Sequence, residues 1–166
     1  DGDWSKALRL FDAAKSAGAD VAKMQYWSSA DRLADRRRVP LEYRKIYARY
    51  QVPSIWLDAA KRYCDEIGIE LMATTYLPED VATVAPYVKR FKIASFEAMD
   101  KAFVDVHAPF GKPVLISVGM LNDGEAIGAV RGGAKMLGMA VKILQCVSAY
   151  PAPAAALNLA ILRETF

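Results

Sequence analysis

Short apolar runs rich in β-branched residues alternate along this chain with longer stretches in which apolar residues recur every three or four positions. The first long stretch, SKALRLFDAAKSAGAD, sets Leu8, Phe11, Ala14 and Ala17 on one helical face, and Gly18 supplies its stop. DVAKMQYW then predicts a strand, followed by a polar, arginine-rich loop from Ser28 to Val39. VPSIWLDAAKRYCDEIG predicts a helix with Pro53 near its start and Gly68 at its end, IELMATTY a strand, and PEDVATVAPYV a short helix. RFKIASF reads as a third strand, EAMDKAFVDVHAPFG as a helix and KPVLISVGM as a fourth strand. NDGEAIGAVRGGAKMLG predicts a glycine-weakened helix capped by Asn122 or Asp123. AVKILQCVSAYPAP follows as the fifth strand, and ALNLAILRETF begins another helix.

Strand and helix therefore alternate throughout, which predicts an α/β fold with a parallel sheet covered by helices. The strands are mostly continuous apolar runs, as expected when both faces are buried. A doubly wound open sheet and a (β/α)8 barrel both fit. The dinucleotide fingerprint GxGxxG and the P-loop GxxxxGK[ST] are absent, and the glycines of RGGAKMLG fall late in a helix that precedes a strand.

At 166 residues without an internal linker, the chain predicts one domain, and a net charge of +3 makes no case for nucleic acid. The Arg36–Arg38 run reads as part of a solvated loop. Cys64 and Cys146 sit in helical and strand-like contexts; the expectation is two small buried thiols in a reducing, cytoplasmic setting. No run predicts a membrane span. The chain starts without an initiator methionine and stops within a helical pattern, so both ends look cut.

In parallel α/β folds, ligands gather at the C-terminal ends of the strands. Those ends carry Lys23, Gln25 and Tyr26; Thr74, Thr75 and Tyr76; Lys92 and Ser95; Ser117 and Gly119; and Gln145, Cys146, Ser148 and Tyr150. Residues two apart on a strand share a face, so Lys23 pairs with Gln25, and Cys146 with Ser148 and Tyr150. Lys92 stands out, because an ammonium inside an apolar strand needs a partner. Two strand-borne lysines among hydroxyls suit an anion. Lys89 and Lys142 stand at strand beginnings, where exposure on the opposite face is expected. The one histidine, His107, lies late in a predicted helix and reads as a surface or C-terminal-turn residue rather than a catalytic one. No cluster of metal-ligand spacing is visible.

GADVAKMQ, CDEIGIELMATTY, FKIAS, GKPVLISVGM and QCVSAYPAP…NL occur in an order and spacing that resembles the sialic acid synthase family over essentially the whole chain. The resemblance implies a partial (β/α)8 TIM barrel, strands two to six of eight with their helices, where a full barrel takes about 250 residues. Residues 1–166 would form one incomplete catalytic domain, without the small antifreeze-like domain that completes the neighbouring subunit's site in a homodimer. It implies condensation of phosphoenolpyruvate with an N-acylated amino sugar, such as N-acetylmannosamine or its 6-phosphate, to give a nonulosonic acid and phosphate.

On the matched motifs, Lys23 and Lys92 would hold phosphoenolpyruvate, and Gln25 would lie beside the reaction centre. Thr74, Ser95 and Ser117 match phosphate- and carboxylate-binding hydroxyls, Ser148 replaces a sugar-contacting asparagine, and Tyr150 matches the tyrosine of that motif. Val118, the Thr75-Tyr76 pair and Gln145 depart from the common pattern and leave the sugar open. A divalent metal, Mn2+ or Mg2+, is expected in the complete enzyme, with its histidine ligands on strands outside this chain. Two other readings remain at this point: an aldolase using Lys92 as a Schiff base, and a non-catalytic interaction module.

Overall fold

A computed structural model describes residues 2–121 and 124–164. Two compact units divide the chain, Asp1–Lys89 and Arg90–Phe166. In the first, α1 (Trp4–Ser16) begins where the Asp3 carboxylate accepts from the Lys6 amide at 3.0 Å. β1 (Val21–Tyr26), α2 (Ala30–Arg37), α3 (Leu41–Tyr50), α4 (Ile55–Glu66), β2 (Glu70–Thr75) and α5 (Pro78–Val84) follow, with a 3-10 turn at Ala85–Tyr87. Gly18 and Gly68 end α1 and α4 with φ of +81° and +71°, a region that carries a steric penalty for other side chains.

β1 and β2 pair in parallel, and the register sets Lys23 beside Met72 and Gln25 beside Thr74. Paired residues of a parallel ladder project to one face, so these four share a side of the pair. On the other side, Ala22 and Leu71 join Phe11 of α1 and Ala60 and Cys64 of α4 in a buried cluster. Burial of each large apolar side chain there contributes about 1.5–3 kcal/mol before chain entropy is counted.

The expected loop from Ser28 to Val39 is instead largely helical. The Ser29 hydroxyl accepts from the Arg32 amide at 3.2 Å and starts α2, whose Ala30, Leu33 and Ala34 are buried. Arginine and alanine are good helix formers, and Asp31 in the first turn and Arg36 and Arg37 in the last complement the helix dipole. α3 went unpredicted as well. It is tied to α2 by Arg44, which reaches Asp31 at 3.2 Å and also pairs with Asp35. The Trp27 indole donates to the Tyr47 carbonyl at 3.0 Å, and the Arg37 guanidinium lies 4.9 Å from the Tyr76 ring centre. The arginine run thus contributes to local packing.

The second unit contains β3 (Phe91–Ile93), α6 (Lys101–Asp105), β4 (Val114–Ser117), α7 (Gly124–Met136), β5 (Val141–Leu144) and α8 (Ile161–Glu164). Turns of 3-10 helix lie at Glu97–Met99, Ala108–Phe110 and Ala154–Ala156. The helix expected over EAMDKAFVDVHAPFG is broken. Asp100 is extended and accepts from the Phe103 amide at 3.2 Å, restarting the helix, and Pro109 lies in the turn that follows α6. Asn122 and Asp123, the expected cap of α7, lie outside the described residues. β3 and β5 are shorter than the apolar runs that predicted them.

β3 pairs with β4, and β4 with β5, all in parallel. The rows Phe91–Val114–Val141 and Ile93–Ile116–Ile143 face one way, and the row Lys92–Leu115–Lys142 faces the other. His107, expected at the surface, is fully buried, with its ring 5.0 Å from Phe91 and 5.2 Å from Phe103. Its Nδ1 lies 3.0 Å from the Phe103 carbonyl, and the imidazole fills an aromatic position in this core. Desolvation lowers its pKa to about 4. Past β4, a Cβ on Gly119 would lie 2.5 Å from Cys146 Sγ and 2.6 Å from its carbonyl oxygen, so only glycine fits.

Two expectations follow. Because His107 binds its proton less readily when folded, the unfolded state takes up the proton first, and stability falls as pH drops from about 6.5 towards 4. One proton limits the loss to about 1.4 kcal/mol per pH unit. Urea denaturation near pH 7.5 and near pH 5 should show a larger loss for the wild type than for His107→Gln; equal losses would contradict this placement. Gly119→Ala should cost about 1–3 kcal/mol through overpacking against Cys146, read as a lower urea midpoint.

Candidate active site

Polar side chains of the second unit gather where β3, β4 and β5 end. Lys92 leans along its strand and donates from Nζ to the Ser117 hydroxyl and, at 3.0 Å, to the Ile93 carbonyl. Ser117 closes β4 two residues beyond Leu115, so it shares the face of Lys92. Just past β3, Ser95 Oγ lies 3.3 Å from Cys146 Sγ, and the Ser148 hydroxyl donates to the Gly119 carbonyl at 3.3 Å. The Ser117 hydroxyl thus meets the lysine directly, and those of Ser95 and Ser148 are held just beyond the ends of β3 and β5, a set of donors that can receive an anion.

Some expected residues lie apart from this group. Tyr150 is 98% exposed. Gln145 turns its amide to the Leu157 carbonyl, donating at 3.2 Å. The shared face expected for Cys146, Ser148 and Tyr150 does not hold, because β5 ends at Leu144 and alternation needs continued strand geometry. Cys146, expected as a buried hydrophobe, is half-buried beside Ser95, whereas Cys64 is fully buried and its thiol is pushed up to about 11 by desolvation.

In the first unit, Lys23 and Gln25 are exposed along one face of β1. Thr74, level with Gln25, is buried, and its hydroxyl makes no hydrogen bond. Protein around the Lys23 ammonium lowers its pKa by desolvation although the residue keeps solvent contact.

Glu97 was missed from sequence. It is fully buried in the turn directly after Ser95, and a carboxylate beyond a strand end, flanked by apolar residues, was the available signal. Among the described residues no group of three or more His, Cys, Asp or Glu side chains could hold a metal ion. The resemblance places the ligands of its divalent metal on strands outside this chain. No helix among the described residues is long and apolar enough to cross a membrane.

Comparison with known proteins bears on this arrangement. The chain is 30% identical to a pseudaminic acid synthase of Campylobacter jejuni, over 95% of this chain and 49% of that protein. It is 28% identical to the human N-acetylneuraminate-9-phosphate synthase, over 98% of this chain and 48% of that one. The chain spans about half the length of the curated relatives it matches. Among solved structures, a sialic acid synthetase of Leptospira borgpetersenii superposes with a TM-score of 0.89 at 22% identity, covering 98% of this chain and 56% of its own. A phospho-2-dehydro-3-deoxyheptonate aldolase (DAHP synthase) of Thermotoga maritima gives 0.75 at 13% identity, over 99% and 44%. These likenesses bear out the expected fold class, an α/β fold of the partial (β/α)8 barrel kind. The sequence model of the NeuB family matches residues 10–165, and the chain belongs to that family.

Proposed function

We propose that this chain is part of a nonulosonic acid synthase, which condenses phosphoenolpyruvate with an N-acylated amino sugar and releases phosphate. Membership of the NeuB family and the synthase names of its relatives support the reaction class. The observation that carries the site is Lys92, held by the Ser117 hydroxyl and the Ile93 carbonyl at the ends of parallel strands. The resemblance implies a cytoplasmic homodimer as the setting.

In this reading Lys92, Ser117 and Ser95, all in the second unit, hold the phosphate and carboxylate of phosphoenolpyruvate. In the first unit, the resemblance gives anion-binding roles to Thr74, whose hydroxyl is unsatisfied, and to Lys23. Its desolvated ammonium is costly while alone, and a bound anion would offset that cost. Ser148 and Tyr150 are assigned to the sugar side, where Ser148 sets the preference for the N-acyl or hydroxyl substituent, and Gln25 keeps the substrate-binding role that the resemblance implies. The enol carbon attacks the open-chain aldehyde and forms the carbon–carbon bond. Water then adds to the resulting oxocarbenium-like carbon, and the tetrahedral intermediate expels phosphate. This chain's part is electrostatic positioning of phosphoenolpyruvate. An aldolase mechanism is less well supported, because the family and the relatives are those of synthases and the hydroxyls beside Lys92 suit an anion.

Phosphate release by the native polypeptide, supplied with phosphoenolpyruvate, Mn2+ and a panel of N-acyl amino sugars, tests the proposal. Release should require both substrates, and Lys92→Ala should lower kcat/KM by about 100-fold or more with a weaker hold on phosphoenolpyruvate. Unchanged phosphoenolpyruvate affinity in a folded Lys92→Ala protein, or a borohydride-trapped adduct on Lys92, would overturn it.

A further inference from the structure

Lys142 departs from its expected position. It is exposed, as a lysine at a strand beginning should be, but it stands in the row Lys92–Leu115–Lys142 and so shares the face of Lys92. Two strand spacings separate the two backbones, about 9–10 Å, with only Leu115 intervening. A lysine stem is long and flexible and can lean along its strand, as that of Lys92 does towards Ser117. No carboxylate among the described residues pairs with Lys142.

We propose that Lys142 is a further anion-binding residue, which joins Lys92 on one face so that the second unit presents two ammonium groups to a phosphoryl dianion. Three features of the geometry support this. Both lysines lie on the face whose outlet carries Ser117, where the proposed phosphate is received. Two like charges facing one space repel each other, and a dianion between them turns that repulsion into attraction for both. A monoanion has too little charge to satisfy both. The face therefore discriminates a phosphoryl group from a simple carboxylate. This inference rests on the proposed reading of Lys92 and Ser117 as the anion site.

Calorimetric binding of inorganic phosphate, phosphoenolpyruvate and pyruvate to the native polypeptide, at low and moderate salt, tests it. Lys142→Gln should weaken phosphate and phosphoenolpyruvate about tenfold and flatten their salt dependence, while pyruvate binding changes little and Lys142→Arg restores the wild-type values. If Lys142→Gln binds phosphate like the wild type while Lys92→Gln has lost it, Lys142 is a surface lysine only and the anion site stands without it. If both variants bind phosphate like the wild type, the anion site itself fails, and this inference with it.

Discussion

Parallel strand register is the constraint on which the rest of this chain depends. Within each unit, matched residues of neighbouring strands project to one side, so a single alternation sorts every strand residue between two environments. One side meets the helices and is buried, as Ala22, Leu71, Phe91, Ile93, Val114 and Ile116 show. The other side carries Lys23, Gln25 and Thr74 in the first unit, and Lys92, Ser117 and Lys142 in the second. A slip of one residue would drive these lysines into the apolar layer, at a desolvation cost no local hydrogen bond could offset. The core therefore holds the polar face in place.

Helices with a clear apolar stripe were legible from spacing alone, as Leu8, Phe11 and Ala14 of α1 illustrate, and so was each strand's existence. Where the sequence misled, local chemistry overruled the pattern. Residues 28–39 looked like a solvated loop because arginine and aspartate are frequent there, and α3 beyond them drew no prediction, yet helices form once Ser29 caps the first and Arg44 ties the two together. β3 and β5 stop before their apolar runs do. Ala94 and Gln145 leave the ladder, and their successors take up the hydroxyl and thiol contacts of the site.

The site was legible in part. Lys92 and Ser117 were both singled out, and they meet. What sequence could not supply was the pairing register, because which face Lys142 occupies depends on a partner strand some twenty-five residues away. Glu97 escaped for a related reason. A glutamate among Phe96, Ala98 and Met99 looks like the polar face of a helix until the chain bends there and buries it.

Perturbed ionisation alone would have pointed to the wrong place. Burial moves His107 to about 4 and Cys64 to about 11. Both lie on the helix-facing side, His107 against Phe91 and Phe103, Cys64 among Phe11, Ala22 and Leu71. There the neutral imidazole and thiol act as packing groups, and no ligand could reach them. Lys23 is shifted by the same cause, but it sits on the face that water can enter. A buried neutral group has already relieved its desolvation by losing charge, whereas a lysine on an open face keeps a charge that a ligand can compensate. Position relative to the strand register, more than the size of the shift, separates a functional ionisable group from a structural one in this fold.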